Sequence, residues 1–63
     1  MPMDAIYREL DRISNLGVTV LDDAQQGMDD RGIVEPDQDA DEADRIAYWT
    51  AIIADAKFVL GEN

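Results

Sequence analysis

The chain has 63 residues, of which 15 are Asp or Glu and five are Lys or Arg, so its formal net charge is −10. It contains no histidine and no cysteine, which excludes disulfides, thiolate metal ligands, a cysteine nucleophile and the commonest general base. A surface this negative repels phosphate, so direct binding to nucleic acid or to an anionic membrane is disfavoured. The composition predicts one small domain without catalytic activity, metal or cofactor, acting through its shape and charge.

The chain is expected to be a soluble protein of the cytoplasm. No apolar run approaches the roughly 18 residues of a membrane span. The N-terminal segment MPMDAIYRELDR carries charges where a signal peptide needs an apolar stretch. The absence of cysteine is also compatible with a reducing compartment.

Apolar residues near the N-terminus follow the spacing of an amphipathic helix. They recur every three or four positions, at Met3, Ile6, Leu10, Ile13, Gly17, Val20 and Ala24. Pro2 and Asp4 favour a helix start, and the pattern predicts one helix over about 3–27. Gly17 and the β-branched residues 18–20 lower the helix propensity within it.

An acidic loop is predicted over about 28–38, because glycine can end a helix and Pro36 disfavours helical geometry in the residue before it. Gly27 and Gly32 are the two candidate stops. The only branched aliphatic residues of the loop, Ile33 and Val34, are expected to fold back over the end of the core.

A second helix is predicted over about 39–61, with Asp37, Asp39 or Asp41 as its N-cap and Gly61 as its C-terminal stop. Apolar residues again recur every three or four positions, at Ile46, Trp49, Ile53, Ala56 and Leu60. This spacing predicts that Trp49 packs in the core, although an aromatic residue can also anchor an interface.

Two helices joined by a short loop predict an all-α fold, an antiparallel helical hairpin forming a single domain. One seam between two helices cannot bury a second group of apolar residues, namely Tyr7, Leu21, Tyr48, Ile52 and Val59. We therefore expect a homodimer forming a four-helix bundle, or a hairpin that docks onto its target. A monomer with a third short helix in the loop is the alternative.

The negative charge is concentrated in the middle of the chain. Residues 29–44 contain eight acids and one base, a net charge of −7, whereas residues 45–63 are neutral. Within this block Asp37, Asp39 and Asp41 follow the start of a calcium-binding loop. The sixth position is Glu42 instead of glycine and the twelfth is Tyr48 instead of glutamate, so helix capping is predicted and no metal site.

In size, acidity and lack of catalytic residues, the whole chain resembles the small phage-encoded anti-CRISPR proteins, several of which act as nucleic-acid mimics. The resemblance implies an inhibitor that binds the basic surface of a nucleic-acid-binding host protein, in the host cytoplasm, and blocks its nucleic-acid site. By this analogy the contact is carried by Asp22, Asp23, Asp29, Asp30, Glu35, Asp37, Asp39, Asp41, Glu42 and Asp44.

A second resemblance implies a different class of function. The stretch DRISNLG at residues 11–17, followed by another amphipathic helix, is similar to helical phage proteins that counter cyclic-nucleotide immunity, of the anti-CBASS and anti-Thoeris types. These proteins oligomerise and sequester the nucleotide, which would place Tyr7, Arg8 and Arg12 near a ligand. The net negative charge opposes such binding, and both arginines can instead pair with carboxylates, Arg12 with Glu9. A third interpretation is a non-catalytic structural or regulatory module.

Overall fold

The computed structural model describes residues 2–62, and within them the chain forms three α-helices. They are α1 (Pro2–Leu16), α2 (Val20–Asp30) and α3 (Glu42–Leu60). No strand occurs in this range, which confirms the predicted helical class. Each helix contacts the other two, so three helices rather than two enclose the core.

The predicted helix over 3–27 is interrupted in the structure and forms α1 and α2 instead. The backbone N–H of Gly17 bonds the carbonyl of Ile13, and the N–H of Val20 then bonds the carbonyl of Gly17, three residues back. The helical pattern resumes where the N–H of Asp23 bonds the carbonyl of Thr19. The interruption coincides with glycine and β-branched residues, which have low helix propensity.

Both α2 and α3 end in a Schellman motif, in which two backbone bonds close the last turn around a left-handed residue. Gly32 (φ 80°) and Gly61 (φ 78°) hold that conformation. After α2, the N–H of Ile33 bonds the carbonyl of Met28 at 2.9 Å. The predicted stop of the last helix at Gly61 is confirmed. Of the two candidate stops before the loop, Gly32 is the one that follows α2, and Gly27 lies inside α2.

The connection between α2 and α3 spans residues 31–41, later than the predicted loop over 28–38. Asp41 occupies the N-cap position of α3, although its side chain forms no capping hydrogen bond. The helix therefore begins at Glu42, three residues after the predicted start at 39. The backbone carbonyl of Asp37 instead accepts a turn bond from the N–H of Ala40.

The core lies where the three helices meet. Its buried side chains are Met3, Ile6, Ile13, Ala24, Met28, Tyr48, Ile52 and Ala56. Ile13 and Ile52 are completely buried. The N-terminal periodicity correctly predicted which side of α1 and α2 faces inward, because Met3, Ile6, Ile13 and Ala24 all belong to the predicted row.

The predicted inner face of α3 needs correction. Tyr48 and Ile52, predicted to belong to the second apolar group outside the seam, are buried, whereas Trp49 and Ile53 of the predicted seam are only partly buried. Trp49 packs against the core cluster and meets the Tyr48 ring edge-on at 5.0 Å. Apolar residues surround most of this helix, so their spacing alone could not show which of them face α1 and α2.

Candidate functional site

The ten predicted contact carboxylates lie on α2, the connecting segment and the start of α3. Asp22 and Asp23 lie in the first turn of α2, Asp29 and Asp30 end it, and Glu42 and Asp44 lie in the first turn of α3. The connecting segment carries Glu35, Asp37, Asp39 and Asp41. All ten side chains are exposed to solvent. We call these ten residues the acidic surface.

The ion pairs of the described residues all use other carboxylates. Glu9 pairs with Arg12 and, at 3.2 Å, with Lys57. Glu62 receives two hydrogen bonds from Arg12, at 2.7 and 3.2 Å. Arg31 lies 3.5 Å from Asp55. No carboxylate of the acidic surface is therefore in an ion pair with a described lysine or arginine.

The pairs around Arg12 join α1 to the C-terminal end of α3. Hydrogen bonds from Arg12 and Lys57 lower the pKa of Glu9 below its ordinary value of 4.5. The hydrogen bonds from Arg12 likewise lower the pKa of Glu62, and the two carboxylates raise the pKa of Arg12. The predicted pairing of Arg12 with Glu9 is thus confirmed, as part of a larger network.

The three residues of the alternative ligand site do not converge on one point. Arg8 and Arg12 line a shallow depression of about 300 Å³ together with Glu9. Tyr7 contacts α3 instead, where its hydroxyl accepts a hydrogen bond of 3.1 Å from Arg45. Arg12 is already bound to two carboxylates, so Arg8 is the one arginine of this depression without an ion pair among the described residues.

Two neighbouring grooves border the acidic surface. The acidic groove, of about 440 Å³, is bordered by Asp22, Asp29 and Glu35, with Gln25 and Gln26 between them. The apolar groove, of about 630 Å³, lies between the end of α2 and α3. Its lining includes Met28, Pro36, Ala47 and Ala51, with Arg31 and Asp44 as its charged residues. The grooves share Ile33, Val34 and Tyr48.

These grooves were not predicted from the sequence. Ile33 and Val34 were expected to cover the core, yet they remain 45% and 74% exposed and form the shared wall of the grooves. Two exposed aliphatic residues in an acidic loop were the only sequence signal.

Among residues 2–62 no group of three carboxylates is placed to hold a metal ion, and no helix there has the length and apolarity to cross a membrane. Comparisons with protein-family models, with curated proteins and with solved structures found no match to this chain.

Proposed function

We propose that the chain is a small acidic inhibitor of the anti-CRISPR type, which binds the basic nucleic-acid site of a host effector complex by charge mimicry. The observation that supports this most strongly is that ten exposed carboxylates have no cationic partner among the described residues, while other acids form every ion pair. Carboxylates held on helices and on a structured connection can occupy positions that phosphates take in a basic groove.

Asp29 and Asp30 are the most informative members of this surface. Carboxylates in the first turn of a helix are stabilised by its dipole, so helix stability alone accounts for Asp22, Asp23 and Glu42. Asp29 and Asp30 lie in the last turn of α2, which contains no base, and there the dipole disfavours negative charge. Arg31 follows them, but its ion pair is with Asp55. Residues placed against local stability are candidates for a functional role.

The proposed binding depends on long-range attraction between the acidic surface and a basic target. Complementary charge accelerates the encounter, and the acceleration falls with ionic strength. Bound carboxylates would then prevent the target from contacting its nucleic acid. The chain would need neither catalysis nor a cofactor for this activity.

A homodimer is part of the same proposal. Leu16 and Val18 at the α1–α2 junction and Phe58 and Val59 near the end of α3 are exposed apolar residues. They lie outside the acidic block, and the neutral C-terminal segment carries two of them, so two copies could meet there without opposing the acidic surfaces. Sedimentation equilibrium should show a dimer that Phe58→Lys dissociates. A wild-type chain that is monomeric at all concentrations would contradict the proposed dimer but not the proposed inhibition.

The test of the inhibitor compares two charge-matched double variants. Asp29→Lys with Asp30→Lys changes the acidic surface, and Asp4→Lys with Asp11→Lys changes exposed carboxylates of α1. Both raise the net charge from −10 to −6, since each replacement adds two units. Inhibition is measured as loss of labelled DNA binding by purified CRISPR effector complexes of several types.

The acidic-surface variant should raise the half-inhibitory concentration at least about tenfold, whereas the α1 variant should change it less than about threefold. Lysines at the end of α2 interact favourably with the helix dipole, so circular dichroism should find the first variant folded. Equal effects of both variants, or inhibition unchanged in the first, would contradict the proposal.

A further inference from the structure

Tyr48 is a buried aromatic residue whose hydroxyl has no hydrogen-bond partner among residues 2–62. Its side chain is only 8% exposed, and it lines both the acidic and the apolar groove. No hydrogen bond joins this hydroxyl to any residue of the described range. No fully buried polar side-chain atom there lacks a partner, so the hydroxyl oxygen keeps contact with solvent. A buried tyrosine usually satisfies its hydroxyl within the protein, whereas this hydroxyl is left to solvent and is available to a ligand in either groove.

The apolar groove offers a site for an apolar side chain. Met28, Ile33 and Val34 contribute one side of its lining, and Ala47 and Ala51 of α3 contribute the other. The alanines leave the space open because they carry no atoms beyond Cβ. Exposed apolar surface in a concave site is typical of places where a ligand's apolar group binds.

The acidic groove next to it is complementary to a cation. Asp22, Asp29 and Glu35 border it, and none of them is in an ion pair with a described residue. The Gln25 amide donates a hydrogen bond of 2.8 Å to Glu35, which fixes the position of this carboxylate. A guanidinium presents several N–H donors in one plane and can bind two carboxylate oxygens together.

We infer that the two grooves together bind one segment of a partner protein in which an apolar side chain stands next to an arginine. The apolar side chain enters the apolar groove, the guanidinium lies among Asp22, Asp29 and Glu35, and the Tyr48 hydroxyl bonds the segment's polar backbone between them. This inference rests on the proposed function, because it names the kind of segment of the basic target that the grooves beside the acidic surface bind. A second copy of the chain suits the site poorly, since its own charge is −10.

The inference can be tested with tetrapeptides and the isotopically labelled full chain. The probe is acetylated, amidated alanine-leucine-arginine-alanine, titrated while backbone amide resonances are recorded by NMR. Its leucine-to-serine and arginine-to-glutamate analogues are the peptide controls. We expect shifts of the amides of residues 33–35, 47, 48 and 51, and at least fivefold weaker binding of either analogue.

Two variants separate binding in the grooves from general attraction to the acidic surface. Tyr48→Phe keeps the buried ring and removes only the hydroxyl, and should weaken the probe threefold to tenfold. Ala47→Leu fills the apolar groove and should abolish binding of the probe, whereas the matched control Ala54→Leu, at an exposed position lining neither groove, should bind like wild type. Shifts spread over the whole acidic surface, or equal affinity of Ala47→Leu and Ala54→Leu, would overturn the inference.

Failure of the groove inference can be distinguished from failure of the inhibitor proposal. If the Asp29 and Asp30 reversals abolish inhibition but Ala47→Leu neither weakens the probe nor reduces inhibition, the groove inference is wrong and the inhibitor proposal stands. If the probe binds as described while those reversals leave inhibition intact, the groove inference holds and the inhibitor proposal is wrong.

Discussion

Gly27 offers a direct test of α2, because replacing it with alanine should stabilise the protein. It lies inside α2, three residues before the helix ends at Asp30. A Cβ atom built at this position meets no atom within 4 Å, so a methyl group fits without repacking. Alanine also restricts the unfolded chain more than glycine does, which lowers the entropy lost on folding.

The expected gain follows from helix propensity and chain length. Alanine is favoured over glycine in a helix interior by about 1 kcal/mol. With an unfolding entropy of about 2.1 cal/mol/K per residue, a chain of 63 residues gains about 7.5 °C in Tm per kcal/mol. Gly27→Ala should therefore raise the Tm by about 5–8 °C.

The measurement is thermal unfolding followed by circular dichroism, with Gly32→Ala as the matched control. Gly32 has a φ of 80°, a conformation that costs a residue with a Cβ about 1–2 kcal/mol, so its Tm should fall. A third variant, Gly17→Ala, would bring a Cβ within 2.9 Å of Val20 and should gain less than Gly27→Ala. A Tm that is unchanged or lowered in Gly27→Ala would refute the assignment of residue 27 to a helix interior.

Three further outcomes are expected. Ile52→Ala should cost about 2–5 kcal/mol and leave the chain largely unfolded at 37 °C, because Ile52 is fully buried. Its control Val34→Ala, at a residue 74% exposed and outside the proposed dimer surface, should change stability by under about 0.5 kcal/mol; denaturant titration measures both. The lowered pKa values of Glu9 and Glu62 predict that the ion-pair network stabilises the fold above pH 4.5 and less as the pH falls through their folded pKa values. The stability difference between wild type and Arg12→Gln should therefore shrink below pH 4.5, and a constant difference would refute this. Cyclic oligonucleotides should leave the Tm unchanged, since Arg12 is held by two carboxylates; a shift abolished by Arg12→Ala would favour nucleotide sequestration instead.

Local sequence signals predicted the helices more reliably than the way they pack. Gly61 ends α3 as predicted, because a left-handed cap is a local requirement that glycine meets. The break near Gly17 was visible as a dip in helix propensity, yet propensity alone did not decide between one helix and two. Burial on α3 could not be read from periodicity, since Tyr48 and Ile52 face two helices whose positions depend on distant parts of the chain.

The candidate site, like the fold, could be predicted from the sequence only in part. Exposure of the ten carboxylates follows from their chemistry, since isolated charges are seldom buried, and it is observed for all ten. The ion pairs of Arg12 and Lys57 with residues distant in the chain could not be predicted without the fold. The same is true of the grooves, which require Ile33 and Val34 to lie beside Tyr48.

The central claim is that the chain and nucleic acid compete for one basic site on the target. It is tested most directly by measuring the apparent Kd of an inhibited CRISPR effector complex for its DNA at rising concentrations of the chain. Mimicry predicts that the apparent Kd rises linearly with the chain concentration and that saturating DNA restores full binding. A plateau in the apparent Kd, with a ternary complex of effector, DNA and chain, would contradict the account.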